Sequence, residues 1–416
     1  GINGSVVMGK SNVLRQIFKD HWKAFLKENG SQVRRSVMFE VNKMINCGNE
    51  NRGYTQYKCS GCGEIKKVAF TCKSRFCPSC GKVYVDNWIE DFVNRIINTK
   101  HKHMVFTIPE GMRDIFLRNR KLLEILSKSA AEVLKSWCED WNKEEQFMPG
   151  IVAVIHTFGR DLKWNPHVHV LMTLGAMGKG GKWRKIKYIP YDMLRKRWET
   201  ILLKNLEERI GKKRISALKD AMYKKYDKGF YVYAKGEMKD ARGAAKYVGR
   251  YMGRPAIAES RIIKYDGEKV TFWYERHEDG KRIEETIDAK EFIGRLIRHI
   301  PEKYFKMVRN YGLYSRHNQH KERLLKTIDE KKIEAKKKLR NWRFRIMKTY
   351  GDDPLKCPKC KSKMCWDGIY DGKGEKLGIK IRERVEKKTE REIKELMEIY
   401  ETIKVLGKGK LEPLFT

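Results

Sequence analysis

No run of apolar residues in the 416-residue chain approaches the ~20 that a membrane-spanning helix needs, so an integral membrane protein is not expected. The leading residues also lack the apolar stretch of an export signal, which points to a cytoplasmic, nucleoid-associated location. Acidic residues are in deficit. Asp and Glu number 53 against 91 Lys and Arg, giving a formal net charge of +38. A surface this basic fits a polyanionic partner, nucleic acid before any other. A disordered basic tail is excluded by 41% hydrophobic and 11% aromatic residues, enough to build packed cores. No internal repeat and no helicase motif is present. The length suggests two or three domains.

Without an export signal, the ten cysteines read as metal ligands before disulfides. Cys59/Cys62 and Cys77/Cys80 are two C-x-x-C knuckles with fourteen residues between them. Four thiolates in a tetrahedron are what zinc prefers. Gly61, Gly63, Pro78 and Gly81 permit the tight turns such knuckles use. Cys72 is a fifth sulfur, either a spare or a replacement for a neighbour. Cys357, Cys360 and Cys365 form a weaker group with no evident fourth ligand, and Cys47 and Cys138 read as buried thiols.

Periodicity predicts helices over 11–46, 83–97, 111–142 (a single long amphipathic helix) and 240–254, with a helical insertion up to about residue 222. Strands are predicted at 103–108, 150–157, 166–174 and 230–234, and a hairpin over 261–276 turning at Asp266-Gly267. Residues 321–350 carry 12 Lys or Arg against 4 Asp or Glu and read as a charged helix. A further helix at 379–405 has an apolar stripe that packs on its own chain or seams a dimer, so monomer and dimer both stand. The expected domains are 1–98 (helical and zinc-binding), 99–300 (catalytic) and 301–416 (a basic helical C-terminal region).

Three segments could carry chemistry. Residues 4–11 match the P-loop pattern by letter, but no aspartate-ended apolar strand follows, so nucleotide binding is not expected. His167-Val-His169 lies on a predicted strand, where alternate residues share a face, so both imidazoles project together. If the hairpin turns around Asp161-Leu162, His156 stands across from His167 and three imidazoles converge as ligands for a divalent ion. On the helix at 240–254, Tyr247 and Tyr251 are one turn apart. Arg242, Lys246, Arg250 and Arg254 form a cationic ridge beside them. Gly249 and Gly253 are costly there by roughly 1 kcal/mol each, which close approach of another backbone or a DNA strand would explain. A tyrosine hydroxyl can attack a phosphodiester to give a covalent phosphotyrosine. An ion on the histidines would polarise that phosphate, and the ridge would grip its neighbours. Trp164 and Trp183 offer stacking platforms for unpaired bases, with Trp164 equally a core candidate.

Taken in order, four segments resemble the HUH (His-hydrophobic-His) endonuclease superfamily, and within it the two-tyrosine rolling-circle transposases of insertion sequences. They are S-R-F-C-P-S-C-G at 74–81, H-M-V-F-T-I-P-E at 103–110, H-T-F-G with N-P-H-V-H across 156–169, and Y-V-G-R-Y at 247–251. R-N-Y-G-L-Y at 309–314 looks like the family's post-catalytic segment. The resemblance implies an α+β fold with a central antiparallel sheet and flanking helices. It also implies Mg or Mn in catalysis beside structural Zn, and single-stranded DNA of element ends and target as substrate, cut to leave 5′-phosphotyrosine. The superfamily varies its third metal ligand among His, Gln, Asp and Glu. Unwinding would fall to a host helicase. Two readings stand beside this one: an HUH replication initiator of a plasmid or phage, and a non-catalytic zinc DNA-binding protein.

Overall fold

A computed structural model describes residues 12–93, 96–97, 99–238, 241–249, 256–276, 279–318 and 353–377. The pattern at residues 4–11, the charged segment 321–350 and the helix expected at 379–405 lie outside the described residues. Helices α1 (Val13–Asn29) and α2 (Arg35–Ile45) lead to the hairpin β1 (Tyr54–Cys59) and β2 (Ile65–Ala69), then α3 (Pro78–Val93). Next come β3 (His101–Thr107), α4 (Arg113–Arg118), α5 (Leu123–Glu139), β4 (Met148–Phe158), β5 (Trp164–Met177) and β6 (Trp183–Lys185). The insertion is α6 (Tyr191–Ile210) and α7 (Lys212–Lys225), followed by β7 (Val232–Met238) and α8 (Ala241–Gly249). The chain continues through β8 (Ile262–Tyr265), β9 (Lys269–Glu275), β10 (Arg282–Asp288), α9 (Ala289–Ile297), β11 (Val308–Gly312) and β12 (Met364–Tyr370).

Six strands form the central sheet in the order β11-β4-β5-β3-β7, with β6 on β5, and every pairing is antiparallel. Antiparallel strands alternate their side chains between two faces. One face carries Met104, Phe106, Ile151, Ala153, Ile155, Val168, Val170 and Met172, buried under α5 and α6. Trp164 belongs to this core; it is 9% exposed and its Nε1 donates to the Arg113 carbonyl at 2.9 Å. The opposite face carries Val152, Val154 and Leu171, covered by Val85 and Phe92 of α3 and by Ala244 and Ala245 of α8. A Cβ on Gly249 would come within 2.7 Å of the Ile89 side chain, so this glycine serves the packing of α8 on α3. Helix packing, rather than a DNA strand, explains that residue; Gly253 lies outside the described residues.

The single helix expected over 111–142 is broken. Asn119 has φ −125° and ψ 87°, separating α4 from a short 3-10 turn and α5. The apolar positions of that stretch span too wide an arc for one straight stripe. The chain bends so that Phe116 and Leu122 both reach the sheet core.

Strand pairing crosses the expected boundaries. β11 lies beyond residue 300 yet forms the edge of the central sheet against β4. Gly312 has φ +58°, and a Cβ there would meet the Pro149 carbonyl at 1.9 Å. Beyond it, Tyr314 Oη donates to His101 Nε2 at 2.6 Å and accepts from Ile97 N at 3.2 Å. The R-N-Y-G-L-Y segment therefore closes a sheet edge. β12 pairs with β1, in a small sheet of order β12-β1-β2. Described residues of the C-terminal region are thus β-structure where a helical region was expected. A third sheet, β10-β9-β8, packs with α1, α2 and α9 around Phe18, Trp22, Val41, Phe272, Phe292 and Leu296.

Candidate metal centres and nucleic-acid site

The β4–β5 hairpin sets the first site. His156 pairs with His167, and Val154 with His169, so His156, His167 and His169 leave the sheet on one face. Their nearest ring nitrogens all lie within 4.8 Å of one another. His167 Nδ1 donates to the Asn165 carbonyl at 2.7 Å, which leaves the Nε2 lone pair facing inward. That Nε2 is 3.0 Å from His169 Nε2. Either His169 Nε2–H donates to the His167 lone pair, or both lone pairs face a cation between them. Ligands set side by side ~2.1 Å from an ion stand ~3 Å apart, so the spacing fits.

A fourth histidine joins from β3. His103, fully buried, places Nε2 3.0 Å from His169 Nδ1. When His169 Nδ1–H donates to it, the His169 Nε2 lone pair is turned toward His167 Nε2. Outer partners of this kind fix the tautomer and direction of a ligand. In the sequence His103 stands out only as part of a predicted strand, and its spacing of two from His101 is the signal that puts both on one face.

The hairpin is pinned at its tip. Leu162, at φ +66°, is wholly buried in the core of α1, α2 and α9. His299 Nε2 donates to the Leu162 carbonyl at 2.9 Å, and its Nδ1 accepts from Thr157 Oγ1 at 3.0 Å. Burial pulls the His299 pKa down to about 4, so the ring is neutral and keeps this tautomer.

α8 crosses the same face of the sheet. It carries Arg242, Lys246 and Tyr247 in its backbone, and Lys246 is exposed while Ala244 and Ala245 are buried. Tyr251, Arg250 and Arg254 lie outside the described residues, and of the Tyr247 and Arg242 side chains the structure describes nothing.

The cysteines depart from the expected grouping. Cys59, Cys62, Cys77 and Cys80 do not come together as one quartet. Cys77 and Cys80 join Cys47 and Cys72, while Cys59 and Cys62 join Cys357 and Cys360. The β1–β2 hairpin is the reason. Cys59 and Cys62 sit at its turn, and Cys72 follows its open end. The five residues of β2 separate those ends by ~17 Å at ~3.3 Å per residue, too far for one ion. In the first cluster Cys80 Sγ is 3.6 Å from both Cys47 Sγ and Cys72 Sγ, and Cys47 Sγ accepts the Cys72 amide at 3.3 Å. Hydrogen bonds from Cys47 and its neighbours pull Cys77 strongly toward the thiolate. Cys47 is thus a member of a cluster and not a solitary buried thiol, and Cys72 is no spare. Cys138 is a buried thiol, and Cys365 is exposed outside both clusters. All ten cysteines are free.

Comparison with known proteins bears on both regions. Residues 150–322 match a family model described as "Putative transposase", and residues 17–108 match a "Transposase zinc-binding domain". The transposase for insertion sequence element IS801 of Pseudomonas savastanoi pv. phaseolicola is 31% identical over 305 residues, covering 70% of this chain and 73% of that protein. The "Putative transposase y4qJ" of Sinorhizobium fredii (strain NBRC 101917 / NGR234) is 26% identical over 383 residues, covering 86% of this chain and 95% of that protein. No solved structure gives a significant match. Among the described residues no helix is long and apolar enough to cross a membrane.

Proposed function

The chain belongs to the IS91/IS801 family of insertion-sequence transposases, enzymes whose substrate is DNA, and from that premise we propose that it cuts and rejoins single-stranded element ends through 5′-phosphotyrosine links, in rolling-circle transposition. One observation carries the reading. The sheet face on which His156, His167 and His169 converge is the face crossed by α8, the helix of Tyr247.

In this reading the phenol of Tyr247 or Tyr251 gives up its proton and its oxygen bonds to phosphorus. The P–O3′ bond breaks, and the departing 3′ oxygen takes a proton to become a free hydroxyl. A 3′-OH of another end reverses the step without ATP, and two tyrosines let two ends be held at once. His156, His167 and His169 hold a divalent ion, which when bound withdraws charge from the phosphate. Mg or Mn is the ion expected there, although imidazoles are softer donors than the oxygens that both ions prefer. His103 orients His169. Arg242, Lys246, Arg250 and Arg254 hold flanking phosphates, so affinity falls with salt. Cys47, Cys72, Cys77 and Cys80 hold zinc within the zinc-binding domain. The protein acts in the cytoplasm, with unwinding supplied by a host helicase.

The test is adduct formation. The full chain is incubated with a labelled single-stranded element end and Mn, then run on a denaturing gel. A shifted, protease-sensitive band is expected; it disappears with chelator and in the Tyr247→Phe/Tyr251→Phe double variant. Cleavage without an adduct, or an adduct surviving in the double variant, refutes the chemistry.

A further inference from the structure

The second cysteine cluster joins parts of the chain that are remote in sequence. Cys62 and Cys357 are 295 residues apart, yet their sulfurs are 3.6 Å apart; Cys59 Sγ is 3.4 Å from Cys360 Sγ. A disulfide would need ~2.05 Å. Four sulfurs each ~2.3 Å from one ion stand ~3.8 Å apart, close to what is seen.

The two knuckles are the same loop built twice. Cys59 N donates to the Glu64 carbonyl at 2.8 Å, and Cys357 N to the Ser362 carbonyl at 2.9 Å. Gly63 N returns to the Cys59 carbonyl at 3.1 Å, and Lys361 N to the Cys357 carbonyl at 3.1 Å. The residue just after the second cysteine is left-handed in both, Gly63 at φ +73° and Lys361 at φ +61°. Lysine adopts that conformation only where its surroundings impose it. In each knuckle the first cysteine is buried and the second exposed. Gly61 N also donates to Cys59 Sγ at 3.3 Å. The register of β1 on β12, with Cys59 opposite Met364, brings both loops to one end of the sheet.

Packing alone does not explain this sheet. Its buried cluster is Tyr57, Cys59, Leu355, Cys357 and Met364, with Trp366 half-buried beside it. A three-stranded sheet with so small a core needs a staple.

We propose that Cys59, Cys62, Cys357 and Cys360 hold a second structural zinc ion, which clasps the segment ahead of the catalytic sheet to the segment after it. Each thiol binds as thiolate and releases its proton to solvent. The zinc-binding family model ends at residue 108, so it does not reach Cys357 and Cys360. The clasp closes a loop that contains the whole histidine hairpin. Without the ion, β12 parts from β1 while β4 and β5 keep their own pairing.

The experiment is metal counting on the full chain, purified under reducing conditions, with hydrogen exchange on the same samples. The intact chain is expected to carry two zinc ions. Cys357→Ser/Cys360→Ser is expected to carry one, with faster exchange in peptides covering 54–59 and 364–370 and unchanged exchange in 148–158 and 164–177. Cys365→Ser, outside both clusters, keeps two. Should the double variant not fold, cobalt titration of the metal-stripped intact chain decides: two equivalents with equal thiolate charge-transfer absorbance support the clasp, and saturation at one overturns it. One zinc in the intact chain, two retained in the double variant, or iron in place of zinc also overturns it.

Discussion

The histidine cluster and the Cys59/Cys62/Cys357/Cys360 cluster are assembled over very different lengths of chain. The imidazoles come from one hairpin, and strand register alone aligns them. The thiolates come from two loops that meet only because β12 returns to pair with β1. The first site depends on a local fold and on the docking of its tip. The second depends on chain topology, with little apolar burial behind it. A locally built site should fail chemically when a ligand is removed and mechanically when its tip is loosened. A topologically built one should fail by releasing a strand.

The largest effect expected is from His167→Ala, which removes one of three converging ligands. Adduct formation should drop by more than ~100-fold, beyond the 10- to 100-fold typical of losing an outer partner. Zinc content and the circular dichroism spectrum should not change. A smaller loss would mean that the hairpin does not hold the reacting ion.

Next is the tip. Leu162→Ala leaves a cavity in the α1, α2 and α9 core and should cost ~2–5 kcal/mol, read from the urea midpoint. It should also lower adduct formation, because the hairpin loses its anchor. If stability falls and activity does not, hairpin rigidity is irrelevant to the site.

His103→Gln keeps a polar group on β3 but changes the partner of His169 Nδ1. Mn affinity, followed by electron paramagnetic resonance titration, should weaken by ~10- to 100-fold with the unfolding midpoint little changed. Unaltered affinity would make His103 a packing residue.

A separate test is the pH dependence of stability. Burial lowers the pKa of His299 and of His101 to about 4, below the usual 6.5. The unfolded chain takes up protons as pH falls below ~6.5, and the folded chain does so only near 4. Their contribution is therefore fully present above ~6.5 and is lost as pH falls toward 4. Urea midpoints at pH 7.5, 5.5 and 4.5 should decline in that order. A flat profile would show that these rings are not held neutral.

Register is a local property, and that is why the histidine hairpin could be read from residue order. Alternation put His167 and His169 on one face, and the turn near Asp161-Leu162 put His156 across from His167. The hairpin at Asp266-Gly267 was legible on the same ground, whereas the α+β class came from the resemblance to the HUH superfamily. The partners of the cysteine knuckles were not. Spacing identifies a knuckle but not which knuckle completes it, and here a five-residue strand carries Cys59/Cys62 away from Cys77/Cys80. The edge strand β11 was hidden because its pairing with β4 is a tertiary event more than 150 residues long in sequence separation (Val308 with Val154). The break at Asn119 follows from packing on the sheet, which helical periodicity cannot report.

The central claim is spatial: an ion on His156, His167 and His169 lies beside the tyrosine of α8. Fluorotyrosine placed at position 247 of the full chain, observed by ¹⁹F NMR during Mn titration, measures this without relying on activity. The account predicts broadening of the Tyr247 resonance at one equivalent, reversed by chelator and absent in the His167→Ala/His169→Ala variant. A resonance that stays sharp while Mn binds the intact protein would contradict it.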